Sequence, residues 1–169
     1  MKILYELNIQ TIFSMNIGSR LPNVFPESKC GVIQLTVWAG RETLRTELLS
    51  LPLSIVVIQH TASYECATDI ECMDLLKWVR RFQMNIFGFT DIGPSFLIGE
   101  NGKVYEGAGW YYVGAHTLKY NTKAYGISFI GNFDKKLPTQ SSLKAAQDLI
   151  DCGVENMYLK KGYSLVGHR

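Results

Sequence analysis

Strand-like patterns recur along the chain between stretches of helical spacing. Residues 54–60 (SIVVIQH) form a continuous apolar run that is typical of a strand at the centre of a sheet. Residues 30–41 favour extended structure, and further strands are expected at residues 125–133 and 163–168. The strand at residues 54–60 ends on a histidine, so a ligand-binding site is expected at that end of the sheet.

One long amphipathic helix is expected after the central strand. Thr68 and Glu71 have the spacing of a capping box, and Gly88 is suited to the helix end. Apolar residues then recur every three or four positions and predict a buried face made of Ile70, Met73, Leu76, Val79, Phe82 and Ile86.

A hairpin and a second helix complete the pattern. Asn101 and Gly102 separate two β-rich runs, which predicts a tight hairpin, and the first of these runs is expected to begin at Pro94. A helix is expected from a cap at Thr139 to a stop at Gly153. Strands separated by helices, with one hairpin, predict an α/β fold in which helices flank a central mixed β-sheet.

Composition and charge exclude two classes of function. The chain has 169 residues, of which 47% are hydrophobic and 19% charged, as expected for one globular domain. Its net charge of +2 and its short basic pairs lack the density of a surface that follows phosphates, so no nucleic-acid partner is expected. No apolar run approaches the roughly 20 residues that a membrane-spanning helix needs.

The first 29 residues differ in character from the rest. They start like a signal peptide, but Glu6, Asn8 and Gln10 interrupt the apolar stretch, and Pro22 and Pro26 follow in a segment typical of a linker. Residues 1–29 are therefore interpreted as a weak targeting segment or a disordered linker, and residues 30–169 as the folded domain.

Four cysteines bear on the cellular compartment. Their even number and the short interval from Cys66 to Cys72 suggest disulfides, the other bridge then being Cys30 to Cys152. Two bridges would imply an oxidising compartment. The alternative is four buried free thiols in a cytosolic protein.

Three histidines lie where a strand or a loop is expected to end. These are His60, His116 and His168, and the ends of strands are where α/β folds usually bind ligands. Their spacing matches no local metal motif, so a structural role for any one of them is as well supported as a functional role.

Several long motifs, taken together, resemble one family. The stretches VVIQHTAS, CATDIEC, FLIGENGKVYEGAGW, VGAHTLKYNTKAYGISFIGNF and LVGHR occur in this order. They resemble the peptidoglycan recognition proteins, which are relatives of the phage-type zinc amidases. The resemblance covers residues 30–169 and implies an amidase-like fold, whose closing C-terminal helix would follow the last residue of this sequence.

The resemblance implies a zinc site that is incomplete in this sequence. Active relatives hold zinc with histidines at the positions of His60 and His168, and with a third ligand shortly after the GHR motif, beyond Arg169. A catalytic zinc needs three protein ligands and one open position for water. Two histidines alone would hold zinc weakly or not at all.

A second departure from the active relatives lies at Pro94. Amidase-competent members have a tyrosine directly after the DIG or DIA motif, and its phenol assists the metal-bound water or the oxyanion. Losing one such donor typically lowers the rate by about a hundred- to a thousandfold. We therefore expect a degenerate relative of a zinc N-acetylmuramoyl-L-alanine amidase, with no intact catalytic residue.

The resemblance also implies a binding groove for a sugar-peptide ligand. The positions that match its lining are His60, Thr61, Gln83, Phe87, Gly88, Phe89, Trp110, His116, Tyr120 and Asn121. Among them, His116 is the principal binding candidate, and its alternative role is to hold its loop. Ala108 stands where members that prefer diaminopimelate-type stems have arginine, so tight diaminopimelate recognition is not expected. Gly88 does not match the residue of members that prefer lysine-type stems, so that preference is not indicated either.

Three functions remain open. The first is a non-catalytic pattern-recognition protein of innate immunity and antibacterial defence, which binds bacterial peptidoglycan or muropeptide. The second is a zinc amidase, and the third is a regulatory or decoy module that pairs with a related peptidoglycan recognition receptor. An extracellular, secreted location is expected, the alternative being an intracellular or membrane-tethered location in a longer isoform.

Overall fold

The computed structural model of the chain describes residues 29–168. The targeting segment or linker expected for residues 1–29 therefore lies outside the described part, apart from Lys29. After a short 3-10 turn at Lys29–Gly31, the elements in chain order are β1 (Val32–Ile33), α1 (Leu35–Ala39), β2 (Leu53–His60), α2 (Asp69–Ile86), β3 (Phe96–Ile98), β4 (Val104–Glu106), β5 (Ala124–Phe129), α3 (Gln140–Glu155) and β6 (Leu159–Gly167).

The described strands form one mixed sheet in the order β1-β4-β3-β5-β2-β6. Only the β3–β4 pair is antiparallel within this sheet, and it is the hairpin that Asn101 and Gly102 predicted. All other neighbouring strands run parallel. The prediction of an α/β fold with a mixed sheet flanked by helices is confirmed.

The two central strands, β2 and β5, decide which side chains face which helix. Residues of β2 and β5 that pack with α3 in one apolar core are Val56, Ile58, Tyr125, Ile127 and Phe129. Side chains alternate along a strand, so the residues between them point to the other side of the sheet. On that side Leu97 of β3 packs with residues of α2. We call the two sides the α3 face and the α2 face.

Helix α2 begins as predicted. The hydroxyl of Thr68 accepts a hydrogen bond from the backbone N–H of Glu71 (3.3 Å), and the carboxylate of Glu71 accepts one from the backbone N–H of Thr68 (3.0 Å). The helix ends at Ile86, and Gly88 then adopts a left-handed conformation with φ of +67°. The capping box and the region of the helix end are confirmed.

The predicted buried face of α2 is only half right. Met73, Leu76 and Val79 are buried, whereas Ile70, Phe82 and Ile86 are exposed. Other contacts fix the rotation of the helix: Cys72 is bonded to Cys66, and the guanidinium of Arg80 binds the buried carboxylate of Asp91 through two hydrogen bonds of 2.6 and 2.8 Å.

This rotation leaves a row of large apolar side chains on the surface. Trp78 stacks on Phe82 with ring centroids 5.4 Å apart, and Phe87 contacts the edge of Phe82 at 5.2 Å. Trp78, Phe82, Ile86 and Phe87 are between 39% and 65% exposed. We call these four residues the aromatic stripe.

Residues 30–41 are not the extended segment that was expected. Strand β1 covers only Val32–Ile33, and helix α1 follows directly. The indole of Trp38 is buried and donates a hydrogen bond to the backbone oxygen of Glu106 (2.9 Å), so tertiary packing overrides the local β-preference. Strand β5 also ends earlier than expected, at Phe129, and α3 continues past Gly153 to Glu155.

Both disulfides are formed in the pairing that was considered. Cys66–Cys72 connects the loop after β2 to the first turn of α2. Cys30–Cys152 joins the start of the described chain to α3 across 122 residues. The alternative of four free thiols is wrong. Among residues 29–168, no helix is both long and apolar enough to cross a bilayer.

Candidate functional site

The carboxyl ends of β2, β5 and β6 meet at one edge of the sheet, because these strands run parallel. His60 ends β2, and His168 follows β6 directly, where its backbone N–H donates to the oxygen of Ile58 (2.8 Å). His116 lies on the loop that precedes β5 and covers the middle of that strand. The three histidines of the sequence therefore gather in one region, as ligand sites in parallel sheets do.

His116 packs directly on β5, and glycine is the residue that permits it. A Cβ atom at position 126 would lie 2.4 Å from the Cγ of His116, so any larger residue there would displace the ring. The Nε2 of His116 lies 3.2 Å from the backbone oxygen of Ala124, and the Nδ1 lies 3.1 Å from the hydroxyl of Thr117. A carbonyl oxygen only accepts, so the proton of a neutral ring is on Nε2 and Nδ1 accepts from Thr117.

The environment keeps His116 uncharged at neutral pH. Burial lowers the pKa of His116 to about 4, and the positive charges of His168 and Arg45 act in the same direction. The ring therefore offers the site a neutral, fixed surface.

The loop of His116 is held by its own polar groups. The side-chain oxygen of Asn121 accepts hydrogen bonds from the backbone N–H groups of His116 (2.9 Å) and Thr117 (2.8 Å). The ammonium of Lys123 lies 4.6 Å from the centre of the Tyr120 ring, and Tyr120 as a residue is 38% exposed. Asn121 is thus an anchor of the loop, and Tyr120 is an accessible aromatic face beside it.

His60 points away from the α2 face. It lies beside Phe129 in the register of β2 and β5, and that ring belongs to the α3 core. The Nδ1 of His60 accepts a hydrogen bond from the backbone N–H of Phe133 (2.9 Å), and its Nε2 is 3.9 Å from the carboxylate of Asp134. Burial lowers the pKa of His60, and the positive charge of His168 adds to this. The two rings are neighbours, but their strand positions face opposite sides.

The described residues do not fit the zinc site that the resemblance implied. A neutral imidazole whose Nδ1 accepts a hydrogen bond carries its proton on Nε2, so His60 has no free lone pair for a metal. His168 follows Gly167, which pairs with Ile58, and therefore lies beside Gln59 and not beside His60. Among residues 29–168, no group of three His, Cys, Asp or Glu side chains could hold a metal ion.

Pro94 is buried in a turn that approaches the hairpin closely. Its backbone oxygen accepts a hydrogen bond from the N–H of Ala108 (2.9 Å), and a Cβ at position 107 would lie only 2.2 Å from that oxygen. The side chain of Gln83 holds the same turn by accepting from the N–H of Gly93 (2.7 Å). Strand β3 begins at Phe96, so the expectation that Pro94 starts it is wrong.

The remaining predicted residues lie in three places. Gln83, Phe87, Gly88 and Phe89 lie together at the end of α2, where the rings of Phe87 and Phe89 are 5.7 Å apart. Trp110 lies elsewhere.

Trp110 stacks on Tyr158 at 4.7 Å and contacts Phe96 at 4.5 Å, against α3. It therefore packs at the α3 core and is not brought to the region of His116. Thr61, by contrast, is near the end of β2, where its hydroxyl accepts from the N–H of Gly131 (2.9 Å).

Two residues of the α2 face were missed by sequence reasoning. Gln59 and Ser128 are paired in the register of β2 and β5, two residues along the strands from Gly126, on which His116 packs. The alternation of side chains along residues 54–60 was the pattern that could have identified Gln59, since it separates this residue from His60.

The low pKa of His116 has a consequence for stability. Below pH 6.5 the unfolded chain binds a proton at this histidine, while the folded chain does not until about pH 4. Stability should therefore fall as the pH falls from about 6.5 to about 4, by up to about 1 kcal/mol per pH unit from this group. Urea unfolding of the wild type and of His116→Gln at several pH values measures it. The wild type should lose more stability than the variant, and equal losses would contradict the assignment.

Comparison with known proteins agrees with this architecture. Residues 49–169 match the family model described as N-acetylmuramoyl-L-alanine amidase. A peptidoglycan recognition protein of Trichoplusia ni is 47% identical over 140 residues, which cover 83% of this chain and 77% of that protein.

Solved structures agree as well. The ectodomain complex of peptidoglycan recognition proteins LCa and LCx with tracheal cytotoxin matches with a TM-score of 0.79 at 42% identity, covering 82% of this chain and 84% of that chain. A human peptidoglycan recognition protein in complex with glycosamyl muramyl pentapeptide matches with a TM-score of 0.78 at 39% identity, with the same coverage of 82% and 84%. The chain belongs to the peptidoglycan recognition protein family.

Proposed function

We propose that this protein is a non-catalytic recognition protein that binds bacterial peptidoglycan in innate immunity. The observation that carries the proposal is the contrast within the site. The His116 loop is held by the side chain of Asn121, whereas Pro94 brings no hydroxyl to the turn where active relatives have a phenol. Related structures were solved with muramyl pentapeptide and with tracheal cytotoxin.

The surroundings of His116 suit the uncharged amide and sugar groups of an amphipathic ligand. The neutral ring of His116 and the partly exposed residue Tyr120 belong to the same loop, four residues apart. Amide groups and sugar hydroxyls form hydrogen bonds with such neutral groups, and the flat faces of sugars pack on aromatic rings. These are the chemical groups of a muropeptide.

Position 108 does not bind the charged groups of the stem peptide. Ala108 is 3% exposed, so it offers neither charge nor reach to a diaminopimelate carboxylate. Recognition in this proposal depends on the sugar and on the first amides of the stem.

The two disulfides support a secreted, extracellular protein. Structural disulfides form and persist in oxidising compartments, and both bridges join elements of the described fold. A location outside the cell would also give the protein access to bacterial cell walls.

The proposal separates binding from cleavage in one experiment. Wild-type protein should co-sediment with insoluble peptidoglycan and should release no new amino termini, with or without added zinc. His116→Gln should lower the bound fraction strongly, and Gln140→Leu, an exposed change at the start of α3, should leave it unchanged.

Two results would contradict the proposal. Failure of the wild type to bind any peptidoglycan would exclude recognition. Zinc-dependent release of amino termini by the wild type would instead support the amidase alternative, which the family model's description favours. In a Pro94→Tyr variant we expect binding to persist and no cleavage to appear, because residues 29–168 contain no group of three side chains that could hold a metal ion.

A second candidate function, pairing with a related receptor, is favoured by the aromatic stripe. Trp78 is 53% and Phe87 59% exposed, and apolar surface of this kind is typical of protein contacts. One related structure is itself a complex of two peptidoglycan recognition proteins.

Sedimentation velocity of the protein mixed with a related receptor ectodomain, without peptidoglycan, tests this function. A complex should form with the wild type and with Met157→Ser, an exposed apolar control at the end of α3. It should be lost with the double variant Trp78→Ser and Phe87→Ser. A wild type that stays monomeric at every concentration would exclude pairing.

A further inference from the structure

Three polar side chains form a row across the α2 face of the sheet. Gln59 of β2 pairs with Ser128 of β5. On the other side of β2, His168 lies beside Gln59, because Gly167 pairs with Ile58 and the N–H of His168 donates to the Ile58 oxygen. Neighbouring strands are about 4.8 Å apart, so these side chains are adjacent on one face. We call Gln59, Ser128 and His168 the polar row.

Among the described residues, the side chains of the polar row have no hydrogen-bond partners. The hydroxyl of Ser128 is buried and unpaired, and Ser128 as a residue is 1% exposed. Within residues 29–168, the side chains of Gln59 and His168 also make no hydrogen bond, although Gln59 is half-buried. Buried polar groups are nearly always paired in native proteins, and an unpaired one calls for an explanation. A ligand that binds at the polar row and pairs with these groups would be such an explanation.

The row is adjacent to His116. The preceding pair on the same face of β2 and β5, two residues earlier, is Val57 with Gly126, and His116 packs on Gly126. A ligand in contact with the His116 ring would therefore reach the polar row within one strand repeat, about 6.6 Å along the strands. The exposed side chain of His168 leaves the outer end of the row open to solvent.

The chemistry of the row suits an amide and not a metal ion. The carboxamide of Gln59 and the hydroxyl of Ser128 can each donate and accept, which matches the C=O and N–H of a peptide or acetamido group. A divalent transition metal prefers imidazole, thiolate or carboxylate, and of the three residues only His168 supplies one of these.

We propose that the polar row is an amide-binding subsite, in which Gln59 and Ser128 bind an amide of the muropeptide. Gln59 occupies the position on β2 from which a metal ligand would face His168. This inference rests on the proposed function, and it assigns that function two contact residues. It also accounts for the unpaired hydroxyl of Ser128, since the ligand completes the hydrogen bonds of the row.

Calorimetric titration with soluble glucosaminyl muramyl pentapeptide tests the subsite. Gln59→Leu keeps the approximate size of the side chain and removes its hydrogen bonds, so the Kd should rise about tenfold. The same exchange at the exposed position 140, Gln140→Leu, is the matched control and should leave the Kd unchanged.

Ser128→Ala separates a ligand contact from a structural role. Its hydroxyl has no hydrogen-bond partner within residues 29–168, so the ligand-free variant should unfold at the same or a higher temperature than the wild type, while its Kd rises severalfold. A variant with reduced thermal stability and an unchanged Kd would mean a structural role and would overturn the assignment of Ser128.

The failures of the two proposals are distinguishable. If the wild type binds peptidoglycan and Gln59→Leu binds equally well, the subsite is wrong and the proposed function stands. If the wild type binds neither insoluble peptidoglycan nor the soluble fragment, both are wrong. Stoichiometric zinc binding by the wild type that is lost in His168→Ala would also overturn the subsite, because the row would then be a metal site.

Discussion

The parallel pairing of β2 with β5 is the constraint on which the site depends. Six consecutive residue pairs, from Ile55 beside Ala124 to His60 beside Phe129, fix the phase of both strands. A shift by one residue would exchange the two faces of the sheet, moving Val56 and Ile58 out of the α3 core. The burial of that core therefore determines that Gln59 faces α2. The positions available for ligand chemistry follow from the packing on the opposite side.

The part of the site around His116 is uncharged and is held in place by packing and hydrogen bonds. The glycine at position 126 lets His116 lie on the sheet, burial keeps its ring uncharged, and Asn121 fixes the loop. These features supply shape and hydrogen bonds at fixed positions. Such pre-organisation favours binding, since little conformational freedom is lost when the ligand arrives.

Elements with strong local patterns could be predicted from the sequence. The capping box of α2, the hairpin at Asn101 and the central strand all follow from local chemistry and are found in the structure. Features decided by tertiary contacts could not. Helix α1 forms because Trp38 is buried against β4, and α2 is rotated by a disulfide and by the Arg80–Asp91 ion pair, which no periodicity reports. For the site, the sequence identified the three histidines, but the side of the sheet on which each one lies depends on strand register.

The central claim is that a muropeptide binds on the α2 face beside His116. Nuclear magnetic resonance titration of isotope-labelled protein with soluble muramyl pentapeptide tests it most directly. The account predicts that the largest shifts occur in the backbone amides of residues 114–121 and in the side-chain amide of Gln59. Shifts confined to the aromatic stripe, or to residues of α3, would contradict it.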